Sequence, residues 1–366
     1  MTVQAFLREH LKALSRLAKV TVVADATNGR FLKTIGAELG FHPASIRRAI
    51  DPRADLLALL GLFLFFRSHQ FDLVHSYTPK AGLLAMSAAF FSGIPRRVHT
   101  FTGQVWATKK GLFRLLLKNI DRLTARLATH ILVDSPTQMR FLQSERVFSR
   151  GKGNVLGAGS VSGVDLKRFR PNPSVRKKIR QKMGLAKDAV VFLFVGRLNR
   201  DKGVPELYEA FQMVRNKIPN AQLVLVGPEE ENIPFPAGLM GTNTGVVHAG
   251  PSSRPEDFMA TADVLVLPSH REGFGSTVIE ANACGIPVVA SRIYGLTDAV
   301  VHGQTGLLVT CGDAGELSQA MEKLGKDRKL RARLGRAAQR RVKARFDQKE
   351  ISGALLQFYR KIAFIQ

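Results

Sequence analysis

Residues 271–291 read REGFGSTVIEANACGIPVVAS and follow ADVLVLPS at 262–269. The segments 264–267 and 288–290 are short apolar runs bounded by breakers, the pattern of buried parallel strands. Residues 276–283 between them suit a helix. The stretch is therefore a strand-loop-helix-strand unit with its loop at the carboxyl end of a strand, where open α/β sheets bind ligands. Gly273 and Gly275 allow close backbone approach. The amides of Gly275, Ser276 and Thr277 would open the helix, and a helix N-terminus favours an anion.

Two acids complete the unit. Glu280, one turn into the helix, is placed to accept hydrogen bonds from ribose hydroxyls. Glu272, in the loop, is placed to meet whatever the anion carries. The same stretch also fits a plain tight turn with Glu272 exposed and Glu280 supporting the first helical turn.

Alternation of strand and helix runs outward from this unit in both directions. In the first half the pattern predicts strands at 20–24, 72–76, 97–100, 130–133 and 154–156. Helices are predicted at 3–17, 55–66, 81–91, 112–127 and 136–141. In the second half it predicts strands at 190–195, 222–226, 246–248, 264–267, 288–290 and 307–309, with helices such as 204–215 and 316–324. Such alternation predicts parallel sheets covered by helices on both faces. A polar, basic stretch at 165–188 reads as the linker between two domains, and two domains imply a ligand cleft. The chain opens on a helical pattern, so the first strand of the N-terminal domain is missing from the scheme. The expectation is a true start upstream of Met1 or a truncated domain.

The 366 residues suit two domains. Lys+Arg total 54 against 29 Asp+Glu, leaving +25, an excess that points to an anionic partner. The two cysteines, Cys284 and Cys311, show neither metal spacing nor a disulfide framework, which fits a reducing cytosol. No signal peptide is evident. The longest apolar run, LLALLGLFLFF at 56–66, is too short to span a bilayer. It reads either as a core helix or as a helix at a membrane interface. Residues 326–345 hold ten basic residues and one acid. They read either as a solvated helix face or as a docking site for anionic lipid. A nucleic-acid binder would also be basic, but few aromatics interleave with the cations and no nucleic-acid motif is present, which disfavours that reading without closing it.

A second motif supports the first. VFLFVGRLNRDKGVPEL at 191–207 is strand, turn and helix. Gly196-Arg197 ends the strand and Lys202-Gly203 opens the helix. Arg197 and Lys202 therefore share the carboxyl edge of the sheet with the Glu272 loop and could neutralise a diphosphate. No Asp-x-Asp follows a strand, and no Ser-His-Asp elbow, Walker loop or G-x-G-x-x-G occurs.

E-x7-E after a strand, with GR…KG half a domain earlier, resembles the family 4 glycosyltransferases of the GT-B fold. HSYTPKAGLLA at 75–85, RRVHTFTGQVW at 96–106 and GSVSGVDLKRF at 159–169 resemble the branch that builds capsule, O-antigen and related surface glycans. The resemblance implies two Rossmann-like domains facing across a cleft: an acceptor-binding domain at 1–165 and a nucleotide-sugar domain at 166–346. A C-terminal helix at 347–366 would cross back to the first domain.

It further implies a retaining, metal-independent hexosyltransferase that takes sugar from a UDP-sugar, with no other cofactor. Arg197 and Lys202 would bind the diphosphate, Glu272 the sugar and Glu280 the ribose. Gly273, Phe274, Gly275, Ser276 and Thr277 would act through their backbone. Gly196 and Gly227 complete the donor site, and Gly227 and 248–251 would lie near uracil. The implied acceptor is a polyprenyl-diphosphate-linked saccharide at an anionic membrane surface. The implied location is the cytoplasm, peripheral on the inner membrane face.

The chain departs from the family pattern at Thr102, where many relatives carry a histidine, and His99 lies within a strand and reads as structural. Two other readings stay open: a catalytically impaired UDP-sugar-binding protein, and a nucleotide-sugar epimerase of the same fold.

Overall fold

The computed structural model describes residues 6–26, 28–46, 51–231 and 244–363. The chain divides into two compact units, residues 1–163 with 348–366, and residues 164–347.

The first unit runs α1 (Arg8–Leu14), β1 (Thr21–Ala24), α2 (Asn28–Lys33), β2 (Gly40–Pro43), α3 (Pro52–Ser68), β3 (Leu73–Tyr77), α4 (Pro79–Phe91), β4 (Arg96–Phe101), α5 (Gly111–Leu127), β5 (His130–Val133), α6 (Pro136–Ser144) and β6 (Gly153–Val155). Strands β3 to β6 pair in chain order into a parallel sheet, and β1 and β2 form a separate parallel pair. Helix starts follow the sequence: Asp51 caps α3 and Ser135 caps α6, each followed by proline. Two expectations need correction here. The opening helix spans Arg8–Leu14 rather than 3–17, because at Ser15 the chain turns towards β1; residues 3–5 lie outside the described residues. β2 has no counterpart in the predicted strands.

Three histidines, His10 and His99 buried and His75 half-buried, stitch this unit together. His10 Nδ1 lies 2.8 Å from Ser352 Oγ and its Nε2 is 2.7 Å from the Val161 carbonyl oxygen. His75 Nε2 lies 2.7 Å from Thr100 Oγ1 and its Nδ1 meets the Tyr359 hydroxyl. His99 Nδ1 lies 2.8 Å from Ser76 Oγ. Burial holds all three rings neutral; for His99 it lowers the pKa to about 3. Ser352 and Tyr359 belong to the terminal helix α14 (Gln348–Ala363), whose Leu355 packs on Val98 and Leu132 of β4 and β5.

The second unit runs α7 (Pro173–Lys182), β7 (Val190–Val195), α8 (Val204–Lys217), β8 (Ala221–Val226), β9 (Val246–His248), α9 (Pro255–Thr261), β10 (Val264–Leu267), α10 (Ser276–Ala283), β11 (Val288–Ser291), α11 (Leu296–Ala299), β12 (Gly306–Val309), α12 (Ala314–Lys326) and α13 (Arg328–Arg345). All six strands are parallel, in the order β12-β11-β10-β7-β8-β9. Read in chain order from β7, this is the doubly wound 3-2-1-4-5-6 arrangement. Strands β7, β8, β10 and β11 are buried on both faces, which is why they read as nearly unbroken apolar runs. The stretch at 165–188, expected to be a linker, instead holds α7. Asn172 caps that helix, and Arg176 and Arg180 pair with Asp263 beside β10.

Candidate active site

In a doubly wound sheet the ligand crevice opens where the chain reverses its direction of strand addition, outside the carboxyl ends of the two strands there. In the second unit those strands are β7 and β10, neighbours in the sheet. The turn after β7 carries Gly196, Arg197 and Lys202. The loop after β10 carries Glu272 to Gly275.

The two loops are bonded to each other. Lys202 Nζ lies 2.5 Å from Glu272 Oε1, and Ser269 Oγ donates to the same oxygen at 3.0 Å. Arg271 reaches Asp201 at 2.8 Å, and the His270 amide donates to the Asp201 carbonyl at 2.9 Å. Asn199, buried, shapes the first loop: its side chain accepts from the Lys202 amide at 3.0 Å and closes a 3₁₀ turn, Arg200–Lys202. Lys202 thus projects from a turn fixed by a cap, not from a free loop.

Arg197 makes a different contact. Its Nη1 donates to Glu230 Oε2 at 2.6 Å, and Asn199 donates to the same oxygen. The structure therefore joins Lys202 to Glu272 and places Arg197 on Glu230, an acid in the loop after β8. Gly227 opens that loop at φ +148°, and a Cβ there would stand 1.7 Å from the Gly196 carbonyl oxygen. Only glycine fits, because the two backbones touch. His248, at the end of β9, lies 3.0 Å from the Gly227 carbonyl oxygen.

Gly275 starts α10 in the left-handed region at φ +83°, with its Cα against the Leu296 side chain. No side chain caps this helix, so the amides of Ser276 and Thr277 are left for an acceptor from outside. Phe274 turns its ring inward onto Phe346, 5.3 Å between centroids, which leaves only its backbone to the loop surface. Glu280 lies further along α10. Burial raises its pKa to about 7, against the attraction of Arg168.

Several site residues escaped the sequence reading. Asn199 and Glu230 are two. The acids of PEEE at 228–231, just past a strand end, were the available signal for Glu230. His270 is a third: its Nε2 donates to Glu206 at 2.9 Å and its Nδ1 lies 3.4 Å from Cys311 Sγ. Those contacts raise its pKa to about 9, the Cys311 bond first. This group joins residues from three separate segments and leaves no local signature.

The arrangement offers two cations, an uncapped helix N-terminus and two carboxylates at one sheet edge. Comparison with known proteins gives it a family. The family model described as "Glycosyl transferases group 1" matches residues 175–341, and that described as "Glycosyl transferase 4-like domain" matches 2–159. The chain is 32% identical over 338 residues to the capsular polysaccharide biosynthesis glycosyltransferase CapM of Staphylococcus aureus, covering 91% of this chain and 88% of CapM. It is 28% identical over 340 residues to the N,N'-diacetylbacillosaminyl-diphospho-undecaprenol alpha-1,3-N-acetylgalactosaminyltransferase of Campylobacter jejuni, covering 90% and 88%. In fold it is similar to HepE of Anabaena, solved with UDP and glucose, at TM-score 0.79 and 22% identity over 99% of this chain and 96% of that one. The chain belongs to the family 4 glycosyltransferases of the GT-B fold and is a glycosyltransferase.

Proposed function

We propose that this enzyme transfers a hexose or N-acetylhexosamine from a UDP-sugar to a polyprenyl-diphosphate-linked saccharide in surface polysaccharide synthesis. Anomeric configuration is retained and no metal takes part. The observation that carries the reading is the convergence of Lys202, Glu272, Arg197 and the uncapped start of α10 at the β7–β10 edge. The CapM likeness and the lipid-linked substrate named for the Campylobacter jejuni relative support the acceptor class.

In this reading Lys202, Arg197 and the amides of Gly275, Ser276 and Thr277 hold the donor diphosphate. Arg197 exchanges Glu230 for phosphate, and Lys202 shares its charge between phosphate and Glu272. Glu272 accepts hydrogen bonds from sugar hydroxyls, and Glu280 from the ribose. Gly196 and Gly227 keep the backbone low beneath the nucleotide, with His248 towards the uracil. The bond from the anomeric carbon to the β-phosphate oxygen breaks, and the bond to the acceptor oxygen forms on the same face. The acceptor proton passes to the leaving diphosphate. Positive charge already in place where the leaving group develops negative charge lowers the barrier, so two side-chain cations and a helix terminus can supply what a metal would. The work would take place in the cytoplasm, with the enzyme peripheral on the inner membrane face.

The test is an assay of several UDP-sugars with short polyprenyl-diphosphate-linked saccharides, following UDP release and the anomeric configuration of the product by NMR. The reading expects an α-linked product from an α-linked donor, formed equally well in EDTA. A β-linked product, or activity abolished by chelation and restored by a divalent cation, would contradict it. Interconversion of UDP-sugars without acceptor would favour the epimerase reading.

A further inference from the structure

The chain has two cysteines, and the fold treats them oppositely. Cys284, just past α10, is 6% exposed, and burial pushes its thiol up to about 12. Cys311, in the turn between β12 and α12, is half-buried. Gly312 beside it takes a left-handed φ of +82°, and this turn brings the sulfur back onto His270.

Three segments of the second unit meet there. Cys311 Sγ lies 3.4 Å from His270 Nδ1 and 3.9 Å from the Ser269 carbonyl oxygen. On the far side of the ring, Nε2 donates to Glu206 Oε1 at 2.9 Å. Glu206 Oε2 is buried without a hydrogen-bond partner among the described residues, so the acid relies on the ring for its counter-charge. The contacts with Cys311 and Glu206 keep the proton on His270 at neutral pH. A sulfur, an imidazole and a carboxylate, each within reach of the next, are the parts of an activated nucleophile. The attacking form of a cysteine is the thiolate, and an imidazolium beside it stabilises that charge.

The proposed sugar transfer gives the sulfur no part, yet the group is joined to the donor site. The His270 amide donates to the Asp201 carbonyl. Ser269, whose carbonyl faces the sulfur, gives its hydroxyl to Glu272, the partner of Lys202. Glu206 stands in the first turn of α8, directly after Lys202 and Gly203.

We propose that Cys311, with His270 and Glu206 behind it, is a modification site for low-molecular-weight disulfides, and that the mixed disulfide closes the donor site. Cys311 Sγ attacks one sulfur of the small disulfide. The new S–S bond forms as the old one breaks, and the electron pair of the old bond leaves on the second sulfur as a thiolate. Cys311 is oxidised and the departing sulfur is reduced. The proton of the Cys311 thiol ends on the departing thiolate by way of solvent. The added group moves Sγ off His270 and Ser269 and shifts the loop that carries Glu272. A thiol reductant reverses the step. The effect on donor binding rests on the proposed function; the thiol chemistry stands without it.

The test treats the full, native chain with dithiobis(nitrobenzoate), an aromatic disulfide that releases a coloured thiolate. Parallel samples take glutathione disulfide. The variants are C311S, C284S, H270N and E206Q. Wild type should release one coloured thiolate per chain, about tenfold faster than N-acetylcysteine does at the same pH. C311S should lose this release and C284S should keep it. H270N should slow it about tenfold, and E206Q should slow it as well. After glutathione disulfide, mass mapping should place the adduct on Cys311. The thermal shift of wild type with UDP should then fall, and it should return with dithiothreitol. The shift of C311S should be the same before and after treatment. Fast release that survives in C311S, a wild-type rate no faster than that of N-acetylcysteine, a rate unchanged in both H270N and E206Q, or a Cys311 adduct that leaves the UDP shift intact would overturn the proposal. No UDP shift in untreated wild type would count against the donor reading, while thiolate release would still decide the Cys311 site.

Discussion

Lys202 and Glu272, seventy residues apart in the chain, meet at 2.5 Å where β7 and β10 adjoin in the doubly wound sheet. The pair is partly buried and sits on a capped turn, so the ammonium is held in place before any substrate arrives. Catalysis by charge in place predicts that Lys202→Ala lowers kcat about 10²- to 10³-fold. KM for the donor should change much less. Steady-state kinetics over a range of donor concentrations decides this. A mutant whose KM rises while kcat holds would make Lys202 a binding group only.

Gly227 is a stricter case. Its left-handed φ and its contact with the Gly196 carbonyl leave no room for a methyl group. Gly227→Ala should lower the thermal midpoint measurably and remove stabilisation by UDP, since both loops must shift. A variant that melts and binds as wild type does would refute the close approach.

His10, His75 and His99 give the first unit an acid limit. Their pKa values in the fold lie below the ordinary value near 6.5, so the unfolded chain binds more protons as pH falls. The stability this supplies is complete above about pH 6.5. It is lost at about 1.4 kcal/mol per pH unit for each histidine as pH falls towards the folded values. Urea midpoints between about pH 7.5 and pH 4.5 should fall steeply. Replacing His99 with asparagine should reduce the slope, and an unchanged slope would remove His99 from the account.

Glu280 titrates in the opposite sense. Burial raises its pKa to about 7, so its ionisation opposes folding: the contribution is present below the ordinary value and lost as pH rises through about 7. Binding needs the carboxylate as acceptor for ribose hydroxyls. UDP affinity should therefore rise between about pH 6 and pH 8, by up to about tenfold. Calorimetric titrations of UDP and 2'-deoxy-UDP check this. The pH effect should shrink with the deoxy nucleotide and vanish in Glu280→Gln.

The sequence was most legible where burial is complete. Val190–Val195 and Val264–Leu267 are apolar along their whole length, and the structure has strands with those bounds. The α7 segment PSVRKKIRQK reads as linker because it carries only Val175 and Ile179 as apolar positions, too few for helical periodicity. Its place is held by the ion pairs of Arg176 and Arg180 with Asp263, which are tertiary. β2 begins with glycine and ends with proline, breakers that mask a strand paired on one side only. At the site, residue types and strand ends led to Arg197, Lys202 and Glu272. What could not be read was partnership: Glu230 for Arg197, and Glu206 with Cys311 around His270. Such pairs depend on which strands lie side by side, which local pattern does not encode.

The most direct measurement is the thermal shift of the full chain with UDP, GDP and ADP, on wild type and on Arg197→Ala and Lys202→Ala. The account predicts stabilisation of wild type by UDP above GDP and ADP, reduced in both variants. Equal shifts with all three nucleotides, or a UDP shift retained in full by both variants, would contradict a uridine-nucleotide site at the β7–β10 edge.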